Sequence, residues 1–447
     1  MTNLAGEGVA TDYARHLLGG LGIPVTIVAA PPDPHPAIAW AKSGAMALTG
    51  AATGPAEICP APLASCADGA LAALAALARI PLPFAGSRLL GERAAIAGLR
   101  RAGSVAPGGA CRLLPSADGW LALNLAREDD WALLPAWLER EVAADWDEVA
   151  AALADRPNAW LVERGRELGL ALAALAPPPA IPVPWRRILA EGPTRPNPPV
   201  LPLVIDLTAL WAGPLAGHLL QGLGARVIKV ESRARPDGAR CGPAGFYDLL
   251  NAGKASVALD FTTPAGRAQL GALIAAADIV LESARPRALQ QLGIDAAALV
   301  QSRPGLSWIS LTGHGRALPQ AGWVAFGDDA GVAAGLSTLL PLAEGQPIFC
   351  GDAIADPLTG IHAALAAWSN HLDGRSRLVA LALTDVVAHC IQFGGTDDAA
   401  ARRDEWAELL ARSGAIVAAP LARYGAGSGR AMGADTAAIL AELAPRC

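Results

Sequence analysis

Lysine is almost missing from this chain. Lys42, Lys229 and Lys254 are the only three in 447 residues, so the basic charge is carried almost wholly by arginine. Together with abundant alanine and glycine, the shortage reads as compositional bias, and it makes the lysine positions more informative than usual. Charged residues are also scarce, at 17%, and the formal net charge is −6. So mild a balance argues against a general nucleic-acid binder and leaves room only for local basic patches. Seven cysteines, at 59, 66, 111, 241, 350, 390 and 447, form no Cys-x-x-Cys pair and are odd in number. Reduced thiols in a cytoplasmic protein are expected, with no metal site. No apolar run reaches membrane length, since Leu168 to Ala176 is cut by Pro177, Pro178 and Pro179. The stretch Met1 to Glu7 has neither a basic start nor a long apolar run, so no leader peptide is expected there.

What the chain does have is apolar mass, 53% of its residues, enough for two or three domains with cores of their own. The clearest boundary is proline-rich, from Pro177 to Pro202. Proline fixes φ and lacks an amide donor, so this stretch is expected to be a linker or extended arm and not a helix or central strand. Beyond it, short apolar runs alternate with helical ones. Residues 203–207, 226–231, 256–261, 278–282 and 308–312 read as strands, and residues 215–223 and 263–277 as helices. That alternation predicts an α/β fold, a Rossmann-like parallel sheet covered by helices. Residues 112–172 differ. A turn and strand over 118–125, then amphipathic helices over 131–138 and 146–153, predict a small α+β domain.

One segment recurs. His16-Leu17-Leu18-Gly19-Gly20-Leu21-Gly22 with Val25 to Val28 matches His218-Leu219-Leu220-Gln221-Gly222-Leu223-Gly224 with Val227 to Val230, at an offset of 202. A weaker echo pairs Ala61-Pro62-Leu63 with Asp356-Pro357-Leu358. If that pairing holds, the first copy carries alanine where the second carries an acid, and is catalytically silent.

Residues 204–383 resemble the class III CoA-transferases, the carnitine and bile-acid CoA-transferase group, through pieces in that family's order. These are Asp206-Leu207-Thr208, Ala212-Gly213-Pro214, and Leu223-Gly224-Ala225-Arg226-Val227-Ile228-Lys229-Val230-Glu231. Asn251-Ala252-Gly253-Lys254 follows, leading into Ser256 and Asp260, then Glu282-Ser283-Ala284-Arg285-Pro286 with Leu292-Gly293, Thr312-Gly313-His314-Gly315, and Asp356 with Gly360. Before the linker, Ser43-Gly44-Ala45-Met46-Ala47-Leu48-Thr49-Gly50 is similar to a family helix end. The module around Gly119-Trp120 resembles the small domain that normally follows the catalytic one. The expected organisation is a degenerate partial segment (1–110), a small α+β domain (111–176), a linker (177–202) and a catalytic α/β domain (203–447).

The resemblance implies transfer of CoA between an acyl-CoA and a small carboxylic acid, with CoA as substrate, no permanently bound cofactor and no membrane or nucleic-acid partner. It implies Asp356 as nucleophile. An aspartate is ionised at neutral pH without a general base, and a helix start favours the anion. Asp before Pro at a helix start also reads as an ordinary N-cap with Pro at N1. Asp352 is a rival but lacks the glycine four residues on. For CoA, the resemblance and the wish of phosphates for cations and free amides point to Trp211, Ala212, Gly213, Arg233, Asn251, Lys254, Ser283 and Arg285. Arg235 and Arg240 share the flexible stretch after Glu231 and meet either phosphate or water. His314 and His362 on apolar stretches read as structural. Trp211 stands where some members carry Gln, which puts acyl specificity in question. Two alternatives stay open. One is a 2-methylacyl-CoA racemase, although Gly327-Asp328-Asp329 has no His where related racemases carry one. The other is a non-catalytic paralogue that binds CoA esters. The family's interlocked homodimer implies either a homodimer or, with two partial copies in one chain, an internally closed pseudo-dimer.

Overall fold

Runs of β-branched and aliphatic residues bounded by glycine and proline form twelve strands in the computed structural model, which describes residues 2–395, 398–425 and 427–443. Met1 and Cys447, named above, lie outside the described residues. Strands β1 (Thr2–Ala5) and β2 (Val25–Val28) form a parallel pair joined by the helix Val9–Gly20. Strands β3 (Cys111–Ser116), β4 (Gly119–Asn124) and β5 (Ala171–Ala174) form an antiparallel sheet. The large sheet contains β6 (Arg187–Thr194), β7 (Leu203–Leu207), β8 (Arg226–Ser232), β9 (Ala255–Leu259), β10 (Ile279–Glu282), β11 (Ser307–Thr312) and β12 (Arg375–Ala382), in the order β6-β12-β11-β10-β7-β8-β9. All its pairings are parallel except β6 with β12. The chain winds outward from β7 to β9, returns to the other side of β7 and winds out again. The switch point therefore lies between β7 and β10.

Alternation along each strand separates two apolar layers. Val204, Val227, Ile279, Leu281, Ile309, Leu311, Val379 and Leu381 face the helices Ala212–Gly222, Ala355–Asp373 and Leu383–Phe393. Ile205, Ile228, Val257, Val280, Trp308 and Leu378 face Pro264–Ala276, Ala296–Ser302 and Thr436–Glu442. The first layer continues into residues before the linker, among them Tyr13, Leu17, Trp40, Leu63, Cys66 and Leu74. Among the described residues the N-terminal segment has no apolar core apart from this shared layer.

The repeat is visible in hydrogen-bond register. β1 pairs Thr2 with Val25; adding 202 gives Val204 and Val227, which are paired between β7 and β8. The helix Leu63–Ala78, in the place of the weaker echo, packs against Ala355–Asp373.

Two expectations need correction. Residues 177–202 are more than a linker, because residues 187–194 form the antiparallel edge strand β6. An edge strand tolerates the proline there, and Pro193 falls where the pairing shifts register between Arg375 and Arg377. The single helix expected over 131–138 is two, Glu128–Ala132 and Leu134–Leu138, because Pro135 has no N–H for a helix interior and instead opens the second. In the small domain Leu121, Leu123, Leu134, Trp137, Val149, Leu153, Leu161 and Leu172 make a separate core.

The C-terminal stretch straps the halves together. Ala418 donates its N–H to the Ala41 carbonyl at 2.8 Å, and Arg423 grips the buried Glu92 carboxylate through Nε at 2.6 Å and Nη2 at 2.9 Å. Asp435 then returns to Ser256 on β9, with a 2.9 Å bond from its N–H to that carbonyl. Among the described residues no helix is long and apolar enough to cross a membrane, and no cluster of three or more His, Cys, Asp or Glu side chains could hold a metal ion.

Candidate active site

Loops leaving the carboxyl ends of the parallel strands surround a cleft of about 420 Å³. Ala209 and Leu210 follow β7, Ser283, Ala284 and Arg285 follow β10, Thr312 and Gly313 end β11, and Leu383 follows β12. The cleft thus opens at the switch point, where an open α/β sheet leaves a crevice between diverging loops. Ser283 Oγ accepts the Ala209 N–H at 3.3 Å and ties the two loops that flank it.

Asp356 forms part of the cleft wall, in the first turn of the 19-residue helix Ala355–Asp373. It is not the cap of that helix. Ile354 holds the cap position without a side-chain bond, so the N-cap role is not the one Asp356 plays. Its surroundings are tight. A Cβ on Gly327 would lie 2.2 Å from Asp356 Oδ2, and one on Gly360 would lie 2.6 Å from the Ala212 carbonyl oxygen. Gly360 lets the acid helix sit directly on the start of Ala212–Gly222, and Gly327 leaves room for the Asp356 carboxylate. Two non-glycine residues beside the site hold left-handed backbone, Leu210 at φ 69° and Ala353 at φ 43°. Each is pinned by a carboxylate. The Leu210 N–H donates to Asp237 at 2.9 Å and the Ala353 N–H to Asp328 at 2.8 Å.

Burial dominates the electrostatics of Asp356 and pushes its carboxyl up to about 7. Arg93 and the Ala212 N–H pull the other way, while Asp328 and Asp352 add to the rise. Asp328 is itself raised to about 6, mainly by burial, and Asp329 to about 7 for the same reason. Asp352 is fully buried and is gripped by Arg93, whose Nε lies 2.9 Å from Oδ2 and whose Nη2 reaches Oδ1. The rival acid is therefore committed to an ion pair, and Asp356 alone of the two lines the cleft.

Of the residues expected to meet CoA, Ala212, Gly213, Ser283 and Arg285 line the cleft with Asp356. Lys254 does not. Its ammonium is 1% exposed, 2.9 Å from Asp206 Oδ2 and 2.9 Å from the Pro214 carbonyl. It braces the end of β7 against the next helix and cannot reach a phosphate without breaking a buried pair. Lys229 pairs in the same network with Asp237 at 2.8 Å, and although burial alone would raise the Asp206 carboxyl, Lys254 and Lys229 hold it at about 2. Asn251 is buried with its Nδ2 on the Tyr247 carbonyl, and Arg233 is exposed with its Nε toward the Ala258 carbonyl. Neither lines the cleft. Trp211 is buried behind it, edge-on to Phe246 at 5.3 Å and 5.8 Å from the Arg93 guanidinium. Arg240 pairs with Glu231 at 2.6 Å.

Arg235 does line the cleft, and Arg127 from the small domain joins it. Among the described residues the side chains of Arg235 and Arg285 make no ion pair, while Arg127 is held by Asp130 through a 2.9 Å bond from Nε. Trp323 closes one side and bears the Arg166 guanidinium 3.8 Å from its ring centroid. Arg93, Arg127 and Trp323 escaped the sequence reading because none sits in a motif; Arg93 reaches Asp352 across 259 residues of chain. His314 packs edge-on to Trp323 and His362 bonds Tyr13 at 2.7 Å. Burial lowers both imidazoles to about 4, so each is neutral at physiological pH.

The family model described as CoA-transferase family III matches residues 203–432. A succinate–glutarate CoA-transferase of Agrobacterium fabrum is 34% identical over 200 residues, covering 41% of this chain and 50% of that one. A succinyl-CoA–D-citramalate CoA-transferase of Chloroflexus aurantiacus is 33% identical over 171 residues, covering 37% and 42%. A crystal structure of the hypothetical protein Rv3272 from Mycobacterium tuberculosis aligns at 33% identity and a TM-score of 0.40, covering 43% of this chain and 57% of that one. The chain spans about half the length of the curated relatives it matches.

Proposed function

The chain belongs to CoA-transferase family III, and from that premise we propose that it moves CoA between an acyl-CoA thioester and a small carboxylic acid, with Asp356 as the nucleophile. The observation that carries the reading is Asp356 itself. It is a carboxylate at a helix start, in the wall of a cleft that Arg127, Arg235 and Arg285 also line. Arginine forks suit the pyrophosphate and 3′-phosphate of CoA. The amides of the first helical turn and the Ala212 N–H favour the acid as an anion.

In the proposed reaction the Asp356 oxygen attacks the thioester carbonyl, the C–S bond breaks, and a mixed anhydride and CoA thiolate result. The thiolate attacks the Asp356 acyl carbon, which expels the donor acid and leaves an aspartyl–CoA thioester. The acceptor carboxylate attacks that carbon, gives a second anhydride and frees the thiolate again. Attack of the thiolate on the acceptor's carbonyl then yields the new acyl-CoA and restores Asp356. No proton transfer is needed, in keeping with a cleft lined by no histidine. Partial desolvation of the carboxylate raises its nucleophilicity.

The relatives above are named for succinate, glutarate and D-citramalate, so dicarboxylic acids head the substrate panel. The test is mass spectrometry of protein incubated with acyl-CoAs, with hydroxylamine added to convert an aspartyl thioester to its hydroxamate. An adduct on Asp356, absent from Asp356→Ala, supports the reading. CoA binding without an adduct points to the non-catalytic paralogue, and solvent deuterium at the α-carbon of a 2-methylacyl-CoA points to the racemase. The shared apolar layer of residues 1–110 and the catalytic half supports an internally closed pseudo-dimer, and a monomer in sedimentation would agree with it.

A further inference from the structure

From Phe349 to Asp352, the loop that leads into the Asp356 helix rests on the N-terminal segment. The Phe349 N–H donates to the Gly103 carbonyl at 3.0 Å, and the Gly351 N–H donates to Thr49 Oγ1 at 2.9 Å. Asp352 receives the Arg93 fork. Arg93 lies in the first turn of the short helix Glu92–Ala97, which is anchored through Glu92 to Arg423 of the C-terminal strap. The buried Trp211 ring lies against the guanidinium, 5.8 Å from its centroid. The charged groups acting on Asp356 are Arg93 from this helix, Asp328 from Gly327–Ala333 and Asp352 from the loop. Arg127, Arg235 and Arg285 stand at the rim of the cleft. Among the described residues Arg93 is the cation that acts on the acid from the N-terminal segment, beside carboxylates that oppose its ionisation.

Resting on the reading of Asp356 as nucleophile, we propose that residues 1–110 are not a silent remnant but complete the active centre. Arg93 is a positioning residue that locks the 349–353 loop through Asp352 and supplies the positive charge that keeps Asp356 an anion. It touches neither cleft nor substrate, so it acts on the reactivity of Asp356 and not on CoA affinity.

The experiment measures single-turnover formation of the Asp356 adduct against pH for wild type, Arg93→Gln and Arg93→Lys, with the KM for acyl-CoA and thermal unfolding alongside. Removing a cation beside a carboxylate raises its titration midpoint by about one pH unit or more. R93Q is therefore expected to shift the pH–rate curve upward by that amount and to slow adduct formation about fivefold or more near neutrality, with KM unchanged. R93K is expected to retain the wild-type midpoint. A folded R93Q with wild-type rate and midpoint would overturn the proposal, since a purely structural role lowers the unfolding temperature without moving the curve. Should R93Q not fold, R93K decides, because a midpoint displaced despite the retained charge is equally fatal. Failure of wild type to form any adduct sinks the nucleophile assignment instead, so the two failures are distinguishable.

Discussion

Asp356→Asn should make the protein more stable while abolishing its chemistry. Burial raises the Asp356 carboxyl to about 7 from an ordinary 3.8, against the pull of Arg93. Between these values the folded state holds a proton that the unfolded chain has released, so stability falls as pH rises, and the penalty is complete above about pH 7. At about 1.36 kcal/mol per tenfold change in proton affinity the full gap is roughly 4 kcal/mol. The carboxylate is partly open to the cleft, and solvent there screens the penalty, which brings the expected figure to about 2 kcal/mol. Asparagine keeps the shape and still accepts the Ala212 N–H, but never ionises. Chemical denaturation of both proteins at several pH values is the assay. The variant should be more stable by about 2 kcal/mol near pH 8, with the gap closing towards pH 4. The same samples should show no hydroxamate. A gap independent of pH, or a wild type more stable than the variant near pH 8, would refute the argument that burial penalises this anion.

Lys254→Met strands Asp206 in the interior and should cost roughly 3–5 kcal/mol in denaturant unfolding; a loss confined to CoA affinity with stability intact would restore the phosphate role. Arg285→Ala and Arg235→Ala should each raise the KM for acyl-CoA about tenfold with little change in kcat, as expected for a charge-assisted bond to phosphate, and should weaken its salt dependence. Equal KM values at low and high salt for wild type would contradict that. Gly327→Ala places a methyl 2.2 Å from Asp356 Oδ2 and 2.4 Å from the Ala353 carbonyl, so adduct formation should fall at least tenfold, read by the hydroxamate assay.

Much of the fold was legible because it follows from local pattern. The β-branched runs at 203–207, 226–231 and 308–312 became β7, β8 and β11 with ends moved by no more than a residue. The recurrence of the His16 segment at His218 foretold two βαβ units of identical register. The strand within the proline-rich stretch was not legible. Whether a proline-bearing segment pairs depends on a sheet edge that another part of the chain supplies. Lys254 shows the same limit, since rarity and motif marked it but neither tells whether an ammonium faces solvent or a buried Asp206.

Sequence alone determined the strand–helix alternation, the repeat and the acid at the head of a helix, since each depends on neighbours within one or two turns of chain. Only the tertiary structure decided which charges surround that acid. Arg93 and Asp328 come from segments distant in the chain, as does Arg127 at the cleft, and how strongly Arg93, Asp328 and the neighbouring Asp352 act on Asp356 depends on distance and burial. Those quantities exist only once the halves of the chain have packed into one core.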